Sequence, residues 1–329
     1  MPTYKSTSIS KSPFISPFNS KFNNTLNAAV NFTPIIKPLA LTTTFLVAWL
    51  GNIAFAQPPR APTPAPVPGE VTMARPTDAE VEQAQASLAT FLSGLDADDK
   101  RIFDAYPYLL EVRPPGINTA LVPNLSPNFN EKHAANVAVA KAGDIDVLFM
   151  GDSITDFWRN ETGNFAGKPV FDKYFGNMKV ANFGIAGDTT QGVLYRLQNG
   201  EGQGFTPKAV MLMIGTNNTR THRAEEIAEG VGAVVLELKK NFPGAKILLL
   251  GIFPRSTPDD PVRAELAQIN SIIAKLDDNQ QVFYKDIGAV FLDAEGKISP
   301  EIMTDGLHPT TKGYELWAEA IKQPLADLL

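Results

Sequence analysis

Cysteine is absent from all 329 residues. That excludes disulfides, thiolate nucleophiles, zinc-cysteine sites and a lipidated N-terminal cysteine. Histidine is nearly as scarce, with 3 in the chain, so an imidazole base must be His133, His222 or His308. No long run of lysine or arginine occurs, and the formal charge is −6. A nucleic-acid surface needs clustered cations to displace phosphate counterions, so nucleic acid is not expected as a partner. Three signatures are also missing: a Gly-x-Ser-x-Gly elbow, a Gly-x-x-x-x-Gly-Lys phosphate loop and a His-Glu-x-x-His metal helix. Neither a metal nor a cofactor is called for.

Acidic residues are absent from residues 1–56, which carry Lys5, Lys11, Lys21 and Lys37 in a background rich in Ser, Thr and Asn. From Leu39 an apolar stretch, densest at Phe45 to Leu50, leads to Ala54-Phe55-Ala56, whose alternating small residues suit a signal peptidase. Cleavage after Ala56 is expected, giving a periplasmic or secreted protein with no membrane span. An uncleaved anchor is disfavoured by the segment's modest length and its interrupting Thr, Gly and Asn. The long leader leaves two further readings open, a start further in or a two-part organellar signal.

Gln57 to Gly69 alternates proline with small residues, so residues 57–76 read as an extended, solvated linker. Residues 77–127 read as an N-terminal extension. Within it, Thr77 and Glu80 have capping-box spacing, and Val81, Ala84, Leu88 and Phe91 follow at helical intervals until Gly94, which predicts a helix that packs on the main domain. Residues 106–127 are rich in proline and read as a loop.

Residues 128–329 form one domain, because short apolar runs alternate there with helical stretches. The runs are 145–150, 179–183, 209–214, 246–251 and 282–287; the helical stretches are 191–198, 223–241, 262–276 and 312–328. Strands that read as continuous apolar runs are buried on both faces. The fold class is therefore α/β, a three-layer α/β/α sandwich around a five-stranded parallel sheet. No repeat of about 20 to 50 residues is visible.

Open parallel sheets bind ligands beyond the carboxyl ends of their strands. Gly151-Asp152-Ser153, Gly184 to Asp188 and Gly215-Thr216-Asn217-Asn218 follow the first three runs, and Asp305-Gly306-Leu307-His308 lies downstream of the fifth. A serine attacks an ester only when a base takes its proton and a carboxylate orients that base. His308 has Asp305 three residues before it, within reach of its Nδ1 proton if the segment makes one turn. His133 falls on a surface helix and His222 has no acid until Glu225. Ser153 is thus the candidate nucleophile, His308 the base and Asp305 its partner. The oxyanion would be held by the backbone N–H of Ser153, the backbone N–H of Gly187 and the side-chain amide of Asn217. Asp152 and Asp188 read as fixing their loops by hydrogen bonds, and Trp158 as packing.

These blocks, in this order, resemble the SGNH/GDSL hydrolases over residues 129–328. Residues 149–153 look like the nucleophile block, 182–190 the second, 215–218 the third, and Asp305 with His308 the terminal Asp-x-x-His pair. The second and third blocks, together with residues 193–201, are similar to the catalytic subunits of intracellular platelet-activating factor acetylhydrolase and to bacterial GDSL esterases. The resemblance implies a flavodoxin-like sheet of five parallel strands and hydrolysis of small acyl esters, acetyl above all, on a glycan, a lipid or a similar substrate. Ile154 stands where the family has Leu, and Gly306 and Pro309 flank the histidine differently from the acetylhydrolase subunits, which bears on pocket shape. The rival reading is a noncatalytic exported protein that binds carbohydrate or lipid on the same fold.

Overall fold

The computed structural model describes residues 63–105 and 116–329. The leader and the cleavage position expected after Ala56 lie outside the described residues. In chain order the elements are α1 (Asp78–Ser93), α2 (Ala97–Ala105), α3 (Asn130–Ala142), β1 (Val147–Gly151), α4 (Ser153–Asp156), α5 (Lys168–Phe175), β2 (Val180–Asn182), α6 (Thr190–Arg196), β3 (Ala209–Met213), α7 (Ala224–Asn241), β4 (Lys246–Leu250), α8 (Pro261–Ile273), β5 (Val282–Lys285) and α9 (Thr311–Ala326). The five strands pair in parallel in the order β2-β1-β3-β4-β5. This is the flavodoxin-like order, whose direction of winding reverses between β1 and β3 and opens a crevice there.

Alternation along the strands divides the core in two. Leu148, Met150, Val210, Leu212, Ile247 and Leu249 meet the side chains of α6, α7 and α8 on one face. Val147, Phe149, Met211, Met213, Leu248 and Leu250 meet α5 and α9 on the other. Both faces are covered, so the central β1 and β3 are apolar without a break. The eight-residue α5 is too short to show a helical period and was not expected; its Val170 and Phe175 enter the second core. Among the described residues no helix is long and apolar enough to cross a membrane.

The N-terminal extension departs from expectation in two ways. Residues 63–71, expected as part of a solvated linker, lie against the domain: the Ala65 amide donates to the Leu121 carbonyl at 2.8 Å, and Val71 is 1% exposed. The reason is on α7, where Gly232 leaves a groove; a Cβ there would lie 2.5 Å from Val71 Cγ2 and 2.9 Å from Pro68 Cδ. Glu229, one turn earlier and buried, accepts from the Met73 amide, Arg75 and Asn118 Nδ2. Helix α1 does form behind the expected Thr77–Glu80 capping box, with Gly94 at its end. It packs on the domain less than expected, since Val81 is its buried residue and Phe91 is 54% exposed, its ring edge-on to Phe103 of α2.

The part of the 106–127 segment that is described is built into the domain. Asn118, Ala120 and Leu121 are buried, Thr190 Oγ1 donates to the Ala120 carbonyl at 3.0 Å, and the Asn124 amide donates to the Gln191 carbonyl at 3.1 Å.

Replacing glycine by alanine inside an open helix ordinarily stabilises by about 1 kcal/mol. At Gly232 the added methyl would overlap Val71 and Pro68, and overpacking of this kind costs about 1 to 3 kcal/mol. Gly232→Ala is therefore expected to lower the urea midpoint. A midpoint that is unchanged or raised would mean that residues 63–71 leave α7 at no cost.

Candidate active site

Strand β1 ends at the switch point, and the chain turns at once into α4. Asp152 caps that helix, its Oδ1 accepting the Ile154 amide at 3.0 Å. Tyr314 of α9 pins the same turn by donating its hydroxyl to the Ile154 carbonyl at 2.7 Å. Ser153 is thereby fixed at the first helical position, 6% exposed.

Ser153 Oγ lies 2.9 Å from His308 Nε2, and His308 Nδ1 lies 2.6 Å from Asp305 Oδ2. An ionised carboxylate only accepts, so Nδ1 carries the proton, and a neutral imidazole then presents Nε2 as acceptor to the serine hydroxyl. Asp305 Oδ1 accepts the amides of Leu307 and His308 at 3.0 and 2.8 Å, so the carboxylate shapes the loop that it also uses to aim the ring. Its partial burial pushes the Asp305 carboxyl up, but the hydrogen bonds from the His308 ring and then from the two amides outweigh that, and it sits below the usual carboxylate value. The rings of Phe157 and Phe165 lie 5.0 and 5.3 Å from the imidazole, centre to centre.

Gly187 follows β2 in the left-handed region at φ +87°, a conformation that a Cβ would strain. The loop around it is laced to its neighbours. Asn217 Nδ2 donates to the Asp188 carbonyl at 2.8 Å, the Ala186 amide donates to Asp156 Oδ2 at 2.9 Å, and the Ile185 amide donates to the Gly151 carbonyl at 3.2 Å. Ser153, Gly187 and Asn217 thus stand on three loops joined at one edge of the sheet.

Two aspartates expected to fix loops do so. Asp188 binds the Thr189 amide and the guanidinium of Arg196. Arg196 is fully buried and also donates to Glu201 and to the Phe183 carbonyl. Burial works against its charge, yet the carboxylates of Asp188 and Glu201 overcome that and keep it protonated. Trp158 is packing, 4.3 Å from the Tyr314 ring and 4.9 Å from Trp317.

His133 is bound to Glu201 at 2.8 Å on α3, and His222 to Thr119 Oγ1 at 2.8 Å, both apart from Ser153's partner His308. The buried Asp156, which sequence reasoning did not single out, accepts from Lys132, Arg159 and the Ala186 amide, while Arg159 holds the carbonyls of Asn182 and Gly184. The spacing of Asp156 and Arg159, one helical turn apart just after the serine, was the available signal. Among the described residues no group of three or more His, Asp or Glu side chains is arranged to hold a metal ion.

Residues 149–316 match the model of the GDSL-like lipase/acylhydrolase family. Platelet-activating factor acetylhydrolase IB subunit alpha2 of Rattus norvegicus is 34% identical over 199 residues, which cover 60% of this chain and 83% of that protein. The alpha1 subunit of Homo sapiens is 33% identical over 198 residues, with 60% and 82% covered. Among solved structures, one from Bacteroides fragilis described as an acylhydrolase superposes with a TM-score of 0.50 at 21% identity, covering 63% of this chain and 100% of that one, which shows likeness of fold.

Asp152 generates a prediction of its own. Its Oδ2 has no hydrogen-bond partner among the described residues. Burial, with a smaller push from Asp188, raises its pKa from 3.8 to about 7 against the bond from the Ile154 amide. Between those two values the folded chain keeps a proton that the unfolded chain has released, so stability falls as pH rises through that window and levels off above it. Asp152→Asn retains an oxygen for the cap. Urea midpoints taken from pH 4 to pH 8 are expected to decline less steeply in the variant than in the wild type; parallel curves would show that Asp152 is ionised throughout.

Proposed function

This chain belongs to the GDSL-like lipase/acylhydrolase family and is a carboxylic ester hydrolase, and from that premise we propose that it removes small acyl groups, acetyl foremost, through an acyl-enzyme on Ser153. The observation that carries this reading is the line from Ser153 Oγ to His308 Nε2 at 2.9 Å and from His308 Nδ1 to Asp305 at 2.6 Å. Nε2 takes the hydroxyl proton as Oγ attacks the carbonyl carbon, and the Asp305 carboxylate stabilises the imidazolium that results. The oxyanion accepts hydrogen bonds from the backbone N–H groups of Ser153 and Gly187 and from Asn217. A primary amide has two N–H donors. One of those on Asn217 Nδ2 is engaged by the Asp188 carbonyl at 2.8 Å, which fixes the amide plane and leaves the second for the substrate. Collapse of the tetrahedral species breaks the ester C–O bond, and His308 returns the proton to the departing alcohol. Water then attacks the acyl carbon while giving a proton to His308, and the acid leaves as His308 returns that proton to Ser153 Oγ.

The acetyl preference is supported by the relatives, which are named acetylhydrolases. Ser153→Ala is expected to lower p-nitrophenyl acetate turnover by about 1,000-fold or more. Asn217→Ala should lower kcat by about 100- to 1,000-fold with a smaller effect on KM, as loss of one oxyanion donor does. A fluorophosphonate should add its mass to Ser153 in the wild type and nowhere in Ser153→Ala. A wild-type protein inert toward esters from acetyl to hexanoyl, with no adduct, would sink the reading.

Export is part of the same proposal. It is supported by the acid-free residues 1–56 and the Ala54-Phe55-Ala56 site. Protein recovered from its source is expected to begin at Gln57. An intact mass that retains the leader, found in the cytoplasm, would exclude it.

A further inference from the structure

Two arginines stand beyond the carboxyl ends of β3 and β4 with no carboxylate bound to either. Among the described residues neither Arg220 nor Arg255 makes a salt bridge. Arg220 is exposed and closes the 3-10 turn Thr216–Arg220, the turn that carries Asn217. Arg255 is half-buried, and its Nη2 donates to Thr219 Oγ1 of that same turn at 2.6 Å.

The backbone that presents Arg255 is held from several directions. Ser256 adopts φ +62°, a strained value for a residue with a Cβ, and its amide donates to the Gly306 carbonyl at 2.8 Å. Arg263 donates to the carbonyls of Arg255 and Ser256 at 2.6 and 3.1 Å. Arg255 is consequently tied on one side to the loop of Asn217 and on the other to the loop of Asp305 and His308. A half-buried guanidinium mounted between those two loops with no carboxylate paired to it is placed to receive an anion.

The local field agrees. Burial first, and the neighbouring positive charge of Arg220 second, hold the Arg255 guanidinium below its usual value, against the pull of Asp260, Glu265 and Asp152. Asp260 is occupied by the Ser256 hydroxyl and by capping the Val262 amide. Glu265 and Asp152 act from beyond ion-pair distance. An anion placed between the two guanidinium groups would relieve their repulsion, and each planar fork matches the paired oxygens of phosphate or carboxylate. With a chain charge of −6 this is a local feature rather than part of a basic surface.

The geometry points to Arg220 and Arg255 as an anion-recognition subsite that selects esters carrying a phosphate or carboxylate group beside the scissile bond. This rests on Ser153 as the nucleophile for its place in catalysis, but its binding can be measured without turnover. Ser153→Ala protein titrated calorimetrically with glycerol 3-phosphate and with glucuronate should bind at least one of them, more weakly as salt rises, while glycerol and methyl glucoside give no heat. Which anion binds better distinguishes a lipid-type phosphate from an acidic sugar as the source. Adding Arg255→Gln or Arg220→Gln should weaken binding by about 10- to 100-fold, the value of a charge-assisted bond, and Arg255→Lys should lie between.

In an otherwise wild-type protein, Arg255→Gln should lower the kcat/KM ratio of the acetylated anion to its neutral counterpart by about 10-fold or more. Absence of anion binding, binding indifferent to both arginines, or an equal loss on charged and neutral esters would overturn the subsite. Binding that depends on the arginines in a protein that cleaves none of the esters would uphold the subsite and sink the esterase reading instead.

Discussion

Asp188 is the residue on which the carboxyl edge of the sheet is assembled. Its side chain holds the buried Arg196, its amide closes a turn on Ile185, and its carbonyl accepts the Asn217 amide. Arg196 carries the linkage inward to Glu201 and the Phe183 carbonyl. Removing one member of such a network leaves an uncompensated charge out of water, at a cost of about 3 to 5 kcal/mol. The loops that carry Gly187 and Asn217 are therefore held by a charge arrangement whose members all depend on one another. For the oxyanion hole proposed above, preorganisation of this kind would let the donors act without rearranging during the reaction.

The N-terminal extension supports those loops from behind. Asn118 joins it to Glu229 on α7, the Ala120 carbonyl receives the Thr190 hydroxyl, and Thr190 and Gln191 in turn bind Asn218, next to Asn217. Asn118 and Ala120 precede the family match, which begins at residue 149. The extension adds hydrogen bonds to the first turn of α6 and to α7, both within the matched region, and does so through buried groups.

How much of this the sequence discloses depends on the physics behind each feature. The five strands were readable because two covered faces leave no polar position along β1 or β3, and the capping box of α1 because its chemistry is local. The contact of Ser153 with His308 and of His308 with Asp305 was readable because only three histidines compete and one of them has an acid at the right spacing. The docking of residues 63–71 was not readable, since proline and small residues look alike in a free linker and in a groove; what decides is Gly232, over 160 positions away. Arg196, Glu201 and His133 were likewise hidden, because a buried charge looks like a surface one until its partners are known. Arg220 and Arg255 lie on loops following different strands, and only the fold brings them into each other's field.

Two aspartates, one next to Ser153 and one against His308, illustrate why identical side chains take different parts. Asp305 is partly exposed and receives three hydrogen bonds, two from amides and one from the imidazole, all of which favour the anion. Asp152 is buried with one oxygen unpartnered, which favours the neutral acid. The hydrogen bonds to Asp305 hold its carboxyl below the usual carboxylate value, while burial holds that of Asp152 above it. The environment of each carboxyl, rather than its chemistry, thus separates the group that orients the His308 ring from the one that shapes the turn.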